Sequence, residues 1–331
     1  MSATTEEFCR LAGVEVPLIC GAMYPCSNPE LVGAVAAAGA MAIVQPLSLV
    51  YVHGRDFREG LKETQRLADG KPIGFNAIIE KSAKAYENRM RQWIDISLEE
   101  GVRFFVTALG NPSWVVEKVH AVGGTVFHDV TALKWAQKAQ EAGVDGLICV
   151  NKRAGGHAGT LSPEKLMEDL ATLGLPLVAA GGAGDETEFA RLVNLGYGAV
   201  QMGTRFIATE ECQVHKDYWD AIIKAKEDDI VLTERLSGVP VAVINTPLVQ
   251  KVGTKAGPIA RRLLKGRRTK HWMRTLYALK SLRELKNTIK KGVTYKDVWQ
   301  AGKSVQGIDS VEPAGDVVRR FAAALGDKTS D

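Results

Sequence analysis

Pro176-Leu177-Val178-Ala179-Ala180-Gly181-Gly182-Ala183-Gly184 is an apolar run that breaks off in glycine. Pro176–Gly182 is too short for a buried helix and has the length of a strand covered on both faces. Downstream, Glu186–Leu195 has helical spacing, Gly196 stops it, and Ala199–Phe206 is strand-like again. The same unit recurs upstream, with strand candidates Val16–Met23, Met41–Pro46, Ile73–Ile79, Phe104–Leu109, Thr125–Val130 and Gly146–Asn151. Between them lie helix patterns at Asn28–Ala38, Asp56–Ala68, Tyr86–Glu100, Ala132–Ala142 and Ser162–Leu173. Strands alternating with helices of this length make βαβ units and a parallel sheet. Gly39, Gly70, Gly101, Gly123, Gly143, Gly174 and Gly196 each follow a helix pattern and precede a strand, where a left-handed residue ends a helix. Asn28-Pro29-Glu30 and Ser162-Pro163-Glu164 place a capping side chain before a first-turn proline. Eight units close as an α/β (β/α)8 TIM barrel or open as a doubly wound sheet, and the strand count favours the barrel.

The chain has 331 residues, enough for a barrel of about 250 plus additions. After Phe206 the alternation ends. His215–Glu227 reads as the eighth helix, Ile230–Asn245 holds strand-like pieces, and Pro258–Lys265, His271–Lys291 and Val311–Leu325 read as helices. Three parts follow: a barrel over 1–244, a basic helical excursion or lid over 245–308, and a C-terminal helix over 309–331 that packs back on the barrel. Of the 42 Lys/Arg and 38 Asp/Glu, 15 and 2 respectively fall between Asn245 and Gln300. A segment so basic has its own electrostatic job or is a solvated face. Trp272 and Tyr277 lie in it, but the remainder is net acidic and carries no nucleic-acid motif.

Leu31–Val52 imitates a membrane span, but Gly39 and Pro46 interrupt it, so a helix, a turn and a strand explain it better. Cys9, Cys20, Cys26, Cys149 and Cys212 are odd in number and form no C-x-x-C pair, which argues against a zinc site and for free thiols. Met1–Gly13 lacks the apolar core of a leader. A cytoplasmic protein without membrane or nucleic-acid partners is expected, with exposed tail helices that leave room for a homodimer.

Four motifs carry chemistry. Ala179-Ala180-Gly181-Gly182-Ala183-Gly184 ends the seventh strand and Gln201-Met202-Gly203-Thr204-Arg205 the eighth. Loops at these two places commonly bind phosphate in TIM barrels, because glycine lets backbone N–H groups approach the anion. Tight turns in crowded packing are the plainer alternative. Arg153-Ala154-Gly155-Gly156-His157-Ala158-Gly159 follows the sixth strand. Small neighbours leave His157 exposed at the catalytic face, where an imidazole exchanges a proton near neutral pH. Gly21-Ala22-Met23 and Asn76 sit at strand ends that could line a flat ring, although Met23 serves equally as core filler.

Gly21-Ala22-Met23, Ala154-Gly155-Gly156-His157-Ala158-Gly159, Ala179-Ala180-Gly181-Gly182 and Gln201-Met202-Gly203-Thr204-Arg205-Phe206 together resemble the nitronate monooxygenase (2-nitropropane dioxygenase) family, which includes flavin-dependent enoyl-ACP reductases. The resemblance runs from about Val16 to Ala208 and resumes at Trp299-Gln300-Ala301-Gly302-Lys303-Ser304-Val305. It implies flavin mononucleotide (FMN), its phosphate on Gly181, Gly182, Gly203 and Thr204. Ala22, Met23 and Asn76 would contact the ring or ribityl chain. Gly21, Gly155, Gly156, Ala180 and Gln201 complete the cofactor-binding set, and His157 would be the catalytic histidine. Two positions depart from the family pattern: Arg153 where many members have an acid, and Asp129 after His128 where many have lysine.

The resemblance implies oxidation of an alkyl nitronate by O2 to a carbonyl compound and nitrite. The alternative is a reductase of enoyl thioesters or quinones with NADH or NADPH as reductant. Acyl-CoA and acyl carrier protein are polyanions that Arg261, Arg262, Arg267, Arg268 and Lys270 would attract.

Overall fold

The computed structural model describes residues 2–80, 84–234, 240–255 and 298–326. Eight strands, β1 (Val16–Cys20), β2 (Ala40–Val44), β3 (Gly74–Ile78), β4 (Phe104–Ala108), β5 (Thr125–Val130), β6 (Gly146–Val150), β7 (Leu177–Ala180) and β8 (Ala199–Met202), form a closed barrel in sequence order. All neighbours are parallel, and β1 closes on β8 with Leu18 opposite Val200 and Cys20 opposite Met202. The (β/α)8 TIM barrel expected from the alternation is therefore the fold, and all seven glycines read as helix stops have positive φ.

Helices α2 (Pro29–Ala37), α3 (Phe57–Leu67), α4 (Lys84–Glu99), α5 (Ser113–His120), α6 (Leu133–Glu141), α7 (Pro163–Leu170) and α8 (Glu186–Asn194) connect the strands. Strand side chains alternate between two cores. Ile19, Met41, Ile43, Phe104, Val106, Phe127, Ile148, Val178 and Ala199 fill the barrel interior, while Leu18, Ala42, Phe75, Phe105, Val126, Leu147 and Val200 pack outward on the helices. Burying each large side chain contributes about 1.5–3 kcal/mol.

An unforeseen helix, α1 (Ala3–Ala12), closes the N-terminal end. Its Phe8 meets Phe104 and Phe127 edge-on, with centroids 6.3 and 5.9 Å apart. The capping expectation holds at Ser162, whose Oγ accepts from the Lys165 amide at 3.2 Å, and fails at Asn28. Asn28 instead donates to Glu30 and, at 2.8 Å, to the Glu211 carbonyl, so its amide ties the loop after β1 to the chain beyond β8.

Past β8 come α9 (Thr204–Ile207), α10 (Lys216–Lys224), an antiparallel hairpin of β9 (Ile230–Thr233) and β10 (Val241–Ile244), and α11 (Pro247–Val252). α12 (Ala314–Ala323) lies against α2, α8 and β1. The stretch 298–307, grouped with the excursion by sequence, is stitched to the hairpin: Gln300 bridges Val243 and the Ile244 amide donates to the Trp299 carbonyl at 2.9 Å. Pro258–Lys265 and His271–Lys291, with the cations named between them, lie outside the described residues. Among the described residues no helix is long and apolar enough to cross a membrane.

Candidate functional site

The glycine turns at the C-terminal strand ends meet each other. Gly181 has φ +110°, and a Cβ there would stand 2.4 Å from the Ala154 amide nitrogen. A Cβ on Gly302 would stand 2.6 Å from the Gly155 amide nitrogen. The loops after β6 and β7 and the returning tail therefore touch backbone to backbone, an approach only glycine permits. Asn151, fully buried after β6, organises the junction. Its Nδ2 donates to the Gly181 carbonyl and its Oδ1 accepts from the Arg153 amide, both at 2.8 Å. The Gly302 amide donates to Thr204 Oγ1 at 3.0 Å, and the Lys303 amide to the Arg153 carbonyl at 2.9 Å.

Gly21 and Gly203 join the same rim. The Gly21 amide donates to the Met202 carbonyl at 2.9 Å, and the Gln201 side chain lies across Gly21. Met23 Sδ is 3.4 Å from where a Gly203 Cβ would be. Ala180 ends β7 on the inner wall. Asn76 stands apart, buried on the inner face of β3. His157 is exposed, but its loop is pinned on both sides. The Gly156 carbonyl accepts from the Ala242 amide at 2.7 Å, and Gly159 lies so near the Val150 carbonyl that a Cβ would come within 2.2 Å of its oxygen.

The donor set suits an anion. Among the described residues, the amides of Gly181, Gly182 and Gly203 donate to no acceptor. Arg153 Nε is sealed from solvent without a partner, 2.7 Å from the position a Gly182 Cβ would take. The far end of that guanidinium pairs with Glu227 at 3.0 Å, and Lys303 reaches the same carboxylate at 3.1 Å. Burial pushes the Glu227 pKa up, but Lys303 and Arg153 outweigh it and hold the group below the usual range. Unpaired amides beside a cation are the donors a phosphoryl group requires.

Sequence reasoning singled out the glycines but not Asn151, and it read Arg153 and Asp129 only as departures. Phe127 belongs to the interior cluster, so by strand alternation Asp129 also faces the barrel interior, while His128 faces outward with Val126 and Val130. His128 Nδ1 lies 2.8 Å from Thr107 Oγ1, and burial lowers its pKa to about 4. Asp129 Oδ1 is sealed without a hydrogen-bond partner, and burial raises the carboxyl pKa to about 7.

That shift has a sign in stability. Between the ordinary value of 3.8 and about 7 the folded chain holds a proton the unfolded chain has lost, so stability falls as pH rises through this window. Asp129→Asn should remove that penalty. In urea titrations its stability relative to the parent should rise by on the order of 4 kcal/mol between acidic and mildly alkaline pH. A pH-independent difference would refute the shift.

A cleft of about 410 Å³, lined by Arg10, His120, Thr125 and Asp145, opens at the opposite end of the barrel. His120 and Asp145 pair there at 2.9 Å, and it has none of the features of the mouth. Conserving the barrel's lower end is a matter of stability in this fold, and chemistry belongs to the upper rim.

A closed parallel barrel whose C-terminal rim gathers unpaired amides and a sealed arginine nitrogen defines a TIM barrel with its candidate site at the mouth. A model of the nitronate monooxygenase family matches residues 6–323, and the chain belongs to that family. It is an oxidoreductase of a family of flavoproteins. It is 29% identical over 253 residues to a (3aS,4S,5R,7aS)-5-hydroxy-7a-methyl-1-oxo-octahydro-1H-indene-4-carboxyl-CoA dehydrogenase of Rhodococcus jostii, covering 76% of this chain and 69% of the relative. It is 28% identical over 277 residues to a nitronate monooxygenase of Pseudomonas aeruginosa, covering 71% of this chain and 78% of that one. The solved structure of FabK from Thermotoga maritima superposes with a TM-score of 0.74 at 25% identity, covering 97% of this chain and 96% of that one.

Proposed function

We propose that the chain is an FMN-dependent oxidoreductase whose redox chemistry runs over the barrel mouth beside His157. The observation that carries this is the convergence of the unpaired Gly181, Gly182 and Gly203 amides with the sealed Arg153 Nε. These groups and Thr204 would hold the phosphate. Gly21, Ala22, Met23, Asn76, Gly155, Gly156, Ala180 and Gln201 would line the rest of the nucleotide. When bound, FMN supplies electron transfer; the protein supplies position and electrostatics. His157 holds or moves the substrate proton from its pinned loop.

The first substrate class is an alkyl nitronate, oxidised with O2 to a carbonyl compound and nitrite, as the family and the Pseudomonas relative support. The second is a coenzyme A thioester, with NADH or NADPH as the electron donor in the reducing direction. Two observations favour it: the Rhodococcus relative is named for a coenzyme A thioester, and the mouth carries Asp129, a group that offers an anionic nitronate no countercharge.

Anaerobic reduction followed by flavin absorbance separates the two. Bleaching by propionate 3-nitronate supports the first, bleaching by NADH or NADPH the second. A protein that takes up no FMN ends both. His157→Ala should lower turnover ~10²-fold with flavin content unchanged. Parental kinetics in that variant would remove His157 from the chemistry.

A further inference from the structure

We infer that Asp129 is a second proton-exchanging side chain of the mouth, an inner-wall carboxylic acid that gives up its proton when the group seated over the barrel gains negative charge. The inference deepens the FMN oxidoreductase reading and rests on it.

Its basis is placement. β5 sends Phe127 and Asp129 inward, and Asp129 lies at the C-terminal end of the strand. The other inward positions near the strand ends are Asn76, Ile78, Ala108, Val150, Ala180 and Gln201, none ionisable. Among the described residues Asp129 is therefore the one inward-facing barrel-strand residue able to carry charge. Opposite it on β6 stands Ile148, buried and apolar. Among the described residues no cation pairs with Asp129, and its Oδ1 has no partner.

A carboxylate with neither cation nor hydrogen-bond donor is costly, so the group keeps its proton until the surroundings change. The nearby titratable groups do not compete for that proton. β4 offers none. Cys149 on β6 is held as a neutral thiol by burial, and Asp129 itself pushes it further that way. His128 is neutral and outward-facing. Across the rim, His157 is exposed to water.

An acid poised near neutrality is suited to proton transfer because both of its forms are accessible. In the transfer the Asp129 O–H bond breaks and a new X–H bond forms on the atom above the mouth that has become basic. The carboxylate left behind recovers a proton from water through the side of Asp129 that remains partly exposed. His157 and Asp129 would then divide the work: one on the outer loop facing bulk water, one on the inner wall of the barrel mouth.

The experiment has an arm that needs no cofactor. In apoprotein labelled with ¹³C-aspartate, the Asp129 carboxyl, assigned by its loss in Asp129→Asn, should titrate near pH 7. A midpoint in the ordinary aspartate range overturns the inference even if FMN binds. In the FMN-loaded protein a visible-absorbance transition should share that midpoint and vanish in Asp129→Asn. The same variant should lose the matching limb of the turnover pH profile and roughly 10²-fold of its rate at neutral pH. Asp129→Glu should restore a transition at a displaced midpoint, and Asp129→Leu serves if the amide fails to fold. Persistence of the transition in either carboxyl-free variant refutes the role. Failure to bind FMN would sink the cofactor reading, and the apoprotein titration would still decide what Asp129 is.

Discussion

Gly181→Ala is expected to yield a protein that purifies without flavin. The added methyl group would stand 2.4 Å from the Ala154 amide nitrogen and 2.5 Å from its Cα, both backbone atoms that cannot rotate away. A φ of +110° is also closed to alanine. The loop after β7 must therefore shift, costing about 1–3 kcal/mol in strain and overpacking. On the proposed reading the shift would turn the Gly181 and Gly182 amides away from the FMN phosphate. Each charge-assisted hydrogen bond contributes about 1.5–3 kcal/mol, so losing one or two should weaken FMN binding by ~10²-fold or more. Gly174→Ala is the control. Its φ is +69°, but nothing lies within 4 Å of the new atom, and it caps a helix rather than the cradle. That variant should lose about 1 kcal/mol of stability and none of its affinity for FMN. Titration of apoprotein with FMN by fluorescence quenching measures both. Equal affinities in the two variants would mean that the cradle after β7 does not hold the phosphate.

Arg205→Ala should destabilise the fold by about 3 kcal/mol or more, more than any comparable change of a surface arginine. Arg205 is 1% exposed. Its Nη2 donates to the carbonyls of Ala208 at 2.6 Å and Ser310 at 2.8 Å, and Nη1 lies 3.2 Å from Glu312. Truncation leaves two carbonyls without their donor and opens a cavity between α9 and the tail. Glu312 would keep Arg320, at 2.7 Å, which limits the loss on the acid's side. Burial pulls the Arg205 pKa down, opposed by Glu312, so the ion pair itself adds little beyond its hydrogen bonds. Arg205→Lys keeps the charge but not the fork, and should recover only part of the loss. The urea midpoint reports the effect. An unchanged midpoint in Arg205→Ala would show that the tail contributes nothing to the barrel's stability. Arg191, exposed and paired with Glu188 at 2.8 Å, is the contrasting case: its alanine variant should change stability by less than about 1 kcal/mol.

How much of this could be read from the chain differs from residue to residue. The glycine stops at Gly39 and Gly143 and the apolar strands between them are local signals, because a left-handed residue and a covered strand need particular side chains wherever they occur. The motif around Gly181 and Gly182 was legible for the same reason. Asp129 was visible only as a departure from the family pattern after His128. Both faces of a barrel strand are apolar, so alternation cannot say whether Phe127 or His128 points inward. Asn28 looked like a cap, yet its amide serves a chain segment far beyond β8.

By itself, the order of residues determined the number of βα units, their boundaries to within a few positions, and which turns can bring N–H groups to an anion. These depend on backbone conformations and burial patterns that act over a few residues. Only the tertiary structure decided that Gly155, Gly181 and Gly302 meet at one point, that α1 closes the barrel's lower end, and that Asp129 has its Oδ1 sealed with nothing to bond. Each of those depends on contacts between segments far apart in the chain, whose closeness follows from barrel closure and from no local preference.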